Sequence, residues 1–299
     1  MKEILSQFIG KELSIDLGLA FQYLLDYNSR IELLKIEKSF DQFKDLKSKS
    51  AEFQIVSANG EHIISNYNKL EFNLPKDSVI SMDLSGFMSS EDGLCSYGAK
   101  SFAKTLLAYK NIDGVIGAKI NIDSGGGEGM AGHIIHNAIK EFNKPVVSFV
   151  YNAGSAAYMA ASASKEIVAA NLNSRVGSIG ALIQLSQSFI DEFSKDIVEI
   201  YSDLSTDKNK EFRELLKGNT EPVREMLNQS VEIFQKMVTD NRILKLDAKG
   251  SLRGGMFFAE DAKKRGLIDS IGNNEFAIER IKKYNKYKYR HSIRWVWPL

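Results

Sequence analysis

The 299 residues include one cysteine and four histidines, and the net charge is only +1. Each shortage excludes a class of answer. Cys95 has no partner for an internal disulfide and no companions at metal-ligand spacing, so it reads as a small buried side chain in a reducing compartment. Balanced charge supplies no field that would draw nucleic acid or an acidic membrane surface. No stretch reaches the roughly 18 uninterrupted apolar residues of a spanning helix. The opening MKEILSQFIGKELSIDLGLAFQYLL mixes acids and lysines into its apolar positions, with neither the core nor the cleavage site of a signal peptide. A cytoplasmic protein with no membrane span is the expectation. Neither GxGxxG nor GxxxxGK[ST] occurs, which removes the fingerprints of dinucleotide and P-loop binding. His133 and His136 stand at i and i+3 but lack a third ligand at recognisable spacing, so no metal and no cofactor are expected.

What remains is a globular composition, 43% hydrophobic and 26% charged, able to bury a sizeable core. Residues 1 to about 50 have apolar positions at helical spacing. FQIV and IISNY flank ANGEH as a hairpin bending at Asn59-Gly60. These form an N-terminal extension over 1–76. From 77 the pattern alternates. SVISMDL is a strand, GAKSFAKTLLAY a helix, GVIGAKINI a strand running into a glycine turn, GMAGHIIHNAIKEF a helix and PVVSFVY a strand. SAAYMAASAS follows as a small-residue helix, then EIVAA and VGSIGALIQL as strands. Such alternation predicts βαβ crossovers on a largely parallel sheet, an α/β fold. A charged, amphipathic helical region covers about 190–246, and GMFFAEDAKKRGLIDSIGN adds a strand or turn, a helix and a last strand. The segment 281–299 reads as a basic, aromatic tail, solvated and without a nucleic-acid role.

Two features carry chemistry. Ser155, in FVYNAGSAAYMAAS, sits where an apolar strand gives way to a helix of small residues, which exposes a hydroxyl beside unpaired amides. A plain N-cap serine is the alternative reading. Asp123-Ser124-Gly125-Gly126-Gly127 follows the strand AKINI and precedes the helix beginning near Gly129, and consecutive glycines let N–H groups face a cavity, as an oxyanion hole requires; a phosphate cradle and a tight turn are the alternatives. Adjacent crossovers bring both segments to the same carboxyl edge of the sheet. No histidine follows Ser155 until His291, so a lysine base is favoured over a Ser-His pair.

INIDSGGG, KPVVSFVYNAGSAAYMAASAS, VGSIGA and GMFFAEDAKKRGLIDSIG, in that order over about 77–275, resemble the signal peptide peptidase A family of serine proteases, which includes the phage prohead proteases. The resemblance implies a Clp protease/crotonase-like fold, endopeptidase activity and a Ser-Lys dyad. Carried over by position, the nucleophile falls on Ser155 and the oxyanion hole on Gly125 and Gly126, with the Ala156 amide as second donor. Ser178 of GSIG lies beside the site. The lysine is Lys208 if the loop in IYSDLSTDKNKEF is two residues longer than the family pattern, with Lys210 next. Two departures stand out: the glycine segment lacks the family's proline, and Ala156-Ala157 replace the usual Gly-Gly. The resemblance further implies polypeptide substrates and a homo-oligomeric ring, in which serine and lysine can come from the same subunit or from different ones. A phage prohead protease acting on capsid or scaffold proteins is the favoured reading, ahead of a bacterial peptidase degrading signal peptides. A crotonase-like acyl-CoA enzyme and an inactive assembly protein of the same fold stay open.

Overall fold

The computed structural model describes residues 13–15, 52–58, 60–93, 97–184 and 198–292. The strands are β1 (Leu13–Ile15), β2 (Glu52–Val56), β3 (His62–Asn66), β4 (Ser78–Met88), β5 (Val115–Glu128), β6 (Val146–Gly154), β7 (Glu166–Ala169), β8 (Arg175–Gly177), β9 (Met256–Phe258) and β10 (Ser270–Ile271). The helices are α1 (Ala99–Ala108), α2 (Gly129–Glu141), α3 (Ala156–Ser162), α4 (Lys210–Leu216), α5 (Glu221–Asn241), α6 (Ala248–Ser251), α7 (Ala259–Arg265) and α8 (Asn274–Ser292).

All ten strands join one sheet, whose main path is β10-β7-β6-β5-β4-β2-β3. From β10 to β4 the neighbours run parallel. The protein is therefore an α/β fold on a mostly parallel sheet, and α1, α2 and α3 are its crossovers. Alternation along each strand divides the two faces. Ile80, Met82 and Leu84 of β4 and Ala118, Ile120 and Ile122 of β5 point into the main core, shared with Phe102, Ile135, Tyr158 and Phe234 of the helices. Their neighbours Val79, Ile116, Val147 and Phe149 point the other way, against Ala277 and Ile281 of α8. Beyond α8 that second face is polar, and Lys119 is buried there, its Nζ bonded to Asn274 Oδ1. Burial pushes the Lys119 amine below its usual range, with Asp83 pulling the other way. A buried carboxylate pins α8 down: Glu166 accepts from Arg280 Nε at 2.5 Å and from Tyr284 Oη and Ser270 Oγ at 2.9 Å each.

Several details differ from the sequence reading. Within the helical expectation for 1–50, Leu13–Ile15 is a strand. The hairpin β2–β3 is not a separate extension, because β2 pairs antiparallel with β4 inside the main sheet; satisfying the edge of β4 outweighs the change in sequence pattern near 76. The glycines 125–127 lie within β5 instead of forming a turn after it. Of VGSIGALIQL only Val176 and Gly177, the end of β8, are strand among the described residues. The tail drawn from 281 starts inside α8, where Ile281 is fully buried. Cys95 and Asn59 lie outside the described residues.

Candidate functional site

β6 delivers an apolar, buried strand to Gly154, and the next residue must turn the chain into α3. Ser155 does this with φ 52° and ψ −122°, the conformation of the first central residue of a type II′ turn, where glycine is the normal occupant. Such a conformation costs on the order of 1–3 kcal/mol for a residue with a side chain, and the surroundings must hold it. They do so through the backbone: Ser155 N donates to Gly177 O at 2.8 Å, and Ser155 O accepts from Met159 N at 2.9 Å. The residue is 1% exposed. It stands at the N-cap of α3, but its side chain makes no cap hydrogen bond there. The amide of Ala156 opens α3 and so has no intrahelical acceptor, nor another among the described residues. Small residues are needed along this helix: a Cβ on Gly132 of α2 would stand 2.7 Å from Ala156 O.

The glycine end of β5 lies alongside. Ser124 pairs with Ala153, and a Cβ on Gly154 would come within 3.0 Å of Gly125 O, so the two strand ends touch backbone to backbone. Asn152 Nδ2 donates to Asp123 Oδ1 at 2.9 Å across the same pair of strands. Gly125, Ser155 and Ala156 are thus brought to one place. Gly126 has φ 105°, and its N–H donates to Ser124 Oγ at 3.1 Å, which itself donates to Gly86 O at 2.6 Å. Its amide is engaged within its own strand end.

Support for the serine turn comes from a segment whose role the sequence left vague. β8 pairs Gly177 with Gly154 on one side and with Met256 of β9 on the other. Gly177 has φ 130°, and a Cβ there would stand 2.3 Å from Gly255 O. Ser178, at φ 52°, donates its N–H to Gly255 O at 2.7 Å. Ser178 therefore follows the carbonyl that holds Ser155, and the GSIG and GGMFF motifs lock each other. Glycine at both motifs was the available signal; the carbonyl contact was not.

Lys208 lies just before α4 and Lys210 opens it. Both are exposed; Lys208 N closes a turn on Ser205 O at 3.1 Å, and Lys210 Nζ is 3.8 Å from Asp207 Oδ1. Lys208 lines a surface cleft of about 480 Å³ with Ile200, Tyr201 and Asn209. No hydrogen bond or ion pair joins either lysine to the Ser155 turn among the described residues. Around them Val198, Ile200 and Leu204 are 88%, 93% and 97% exposed. His136 is buried against Asn241, whose Nδ2 lies 3.1 Å from its Nε2, and burial pulls its pKa down. Among the described residues no group of three His, Cys, Asp or Glu is placed to hold a metal ion, and no helix is long and apolar enough to cross a membrane.

Comparison with known proteins adds the following. The model described as peptidase family S49 matches residues 138–288, half of the chain, a span that holds Ser155, Ser178 and Lys208 but begins after the glycine end of β5. MJ0651 of Methanocaldococcus jannaschii, a protein named as a protease, is 29% identical over 189 residues, 61% of this chain and 60% of its own length. Among solved structures, a membrane-bound stomatin-specific protease bound to a substrate peptide is similar at 19% identity and TM-score 0.41, over 69% of this chain and 80% of that one. A ClpP1 variant from Listeria monocytogenes is similar at 16% identity and TM-score 0.36, over 66% and 94%. An enoyl-CoA hydratase/isomerase family member is similar at 15% identity and TM-score 0.42, over 72% and 74%.

Proposed function

Because this chain belongs to peptidase family S49, we propose that it is a serine endopeptidase with Ser155 as nucleophile. The observation that carries the reading is the Ser155 turn: a strained, buried residue whose side chain makes no cap hydrogen bond, beside the Ala156 amide that opens α3 and the glycine end of β5. Strain of this kind persists only where the surrounding structure over-determines it, and it gathers at reactive sites.

In the proposed reaction, a neutral lysine amine takes the proton from Ser155 Oγ as Oγ attacks a peptide carbonyl. The Ala156 amide, with that of Gly125, stabilises the oxyanion, since Gly126 gives its N–H to Ser124 Oγ. The lysine then protonates the leaving amine, and water hydrolyses the acyl-serine. Lys208 is the proposed base, with Lys210 the alternative. A base lysine must be stripped of water to be neutral at physiological pH, and within one chain both amines are solvated. The exposed Val198, Ile200 and Leu204 beside them mark a surface that a second copy would cover. A homo-oligomer in which one subunit's lysine meets its neighbour's serine satisfies both facts.

The narrower reading, processing of capsid or scaffold protein in a phage prohead, rests on the sequence resemblance alone. Fluorescein-casein hydrolysis and labelling by a fluorophosphonate test the broader one. Wild type should show both and Ser155→Ala neither, with a fall in turnover of at least about 10³-fold. Hydrolysis that survives Ser155→Ala defeats the mechanism.

A further inference from the structure

The strand slot beside the serine is already occupied by this chain. β5 runs past the end of its neighbour: β6 pairs with it only as far as Ser124, opposite Ala153, and then turns away at Ser155. On its other edge β5 stays paired with β4, through Phe87 opposite Gly126 and Met88 opposite Gly127. Beyond Ser124 the β6-side edge of β5 is therefore released from β6, close to the nucleophile. β1 fills it. Leu13, Ser14 and Ile15 pair antiparallel with Glu128, Gly127 and Gly126, and because β4 holds one edge of those glycines, β1 lies along the other.

Polarity gives this pairing a meaning. Going from Leu13 to Ile15, the partners run from Glu128 back to Gly126, so the strand's carboxyl end heads for Gly125, which touches Gly154 just before Ser155. A peptide in this slot with this direction would offer the carbonyl at its C-terminal end to the serine, as the acyl half of a substrate does. The recognition would be main-chain pairing along an edge with no side chains in the way. We propose that Leu13–Ile15 is an internal competitor for the acyl-side substrate edge, and that extended polypeptides bind there only by displacing it. This rests on the protease reading of Ser155, to which it adds regulation by the chain's own N-terminal segment.

Binding can be measured without catalysis, which keeps the two claims separate. In a Ser155→Ala background, a fluorescein-labelled peptide of residues 9–20 would be titrated against the full-length protein with and without Leu13→Pro and Ser14→Pro. Successive N–H groups of a strand face opposite edges, so the two prolines together remove whichever one points at β5. The proline pair should raise peptide affinity by about 10-fold or more, equivalent to about 1.4 kcal/mol. Hydrogen exchange at 126–128 should quicken in the proline variant and slow again when peptide is added. Equal affinities, no binding to either protein, or unchanged exchange at 126–128 would overturn the proposal. Casein hydrolysis by the Ser155-containing proteins reports separately: peptide competition without hydrolysis would keep the occupied edge and remove the protease reading.

Discussion

Ser155 holds a backbone conformation that glycine would adopt freely, and it is kept there by a carbonyl from Gly177 and by the start of α3. A serine at this position is poorly suited to stability, which predicts a separation between two variants that lack the proposed nucleophile. Ser155→Ala and Ser155→Gly both lose the hydroxyl, but only glycine relieves the turn. Relief of about 1–3 kcal/mol, less about 0.5–1 kcal/mol for glycine's added freedom in the unfolded chain, should leave Ser155→Gly more stable than Ser155→Ala by about 1 kcal/mol in urea unfolding. Equal midpoints would mean that the turn is not strained. At this scale the strand-to-helix turn at Ser155 was legible, since a polar residue between an apolar strand and a run of alanines has few structural uses. The surroundings of the proposed base were not. A nucleophile's surroundings are written in its adjacent segments, whereas a base is defined by whatever covers it, and no local pattern around Lys208 encodes that.

Among the elements, the alternation from β4 to β7 was readable because apolar strands and amphipathic helices differ in period. What sequence pattern misplaced was backbone pairing. Gly125–Gly127 read as a turn because glycine is poor in strands, yet β4 and β1 supply partners for Gly126 and Gly127 on both edges and keep them in the sheet. Leu13–Ile15 shared the helical spacing of its neighbours, and pairing with those same glycines decided its structure. Packing between helices gives a prediction that sequence does not contain. His136 of α2 is buried and faces Asn241 at the end of α5, with Asn137, His133, Lys140 and Asp240 around it. Burial, its largest influence, holds the folded pKa below the ordinary value of about 6.5. The unfolded chain therefore takes up a proton first as the pH falls, and the stability present above about 6.5 declines from there toward the folded pKa. Urea unfolding at pH 7.5 and 5.5 should show a larger loss in the parent than in His136→Gln. An equal loss in both would assign the acid sensitivity to other groups.

For the whole molecule, the proposed site is incomplete in two ways among the described residues of one chain: no hydrogen bond or ion pair brings Lys208 or Lys210 to the Ser155 turn, and neither proposed base is desolvated. The serine turn is buried among β6, β8 and α3, while the lysine segment is solvated and carries three apolar side chains almost fully in water. Both deficits vanish if copies associate so that the 198–208 surface of one closes over the Ser155 mouth of the next. Shared sites can be counted by mixing. Ser155→Ala subunits keep the lysine, and Lys208→Ala subunits keep the serine; if Lys210 proves to be the essential amine, its alanine variant takes that place. Each variant alone should be inactive. Refolded together at equal amounts, a complete site forms wherever an intact serine meets an intact lysine from its neighbour. Random assembly makes that about one quarter of sites, for a closed dimer or a ring alike. Casein hydrolysis should then recover to about one quarter of the wild-type rate per subunit. Were serine and lysine drawn from the same chain, the mixture would stay as inactive as its components. Leu204→Asp added to both variants should abolish the recovered activity by opposing association, while each chain keeps its circular dichroism.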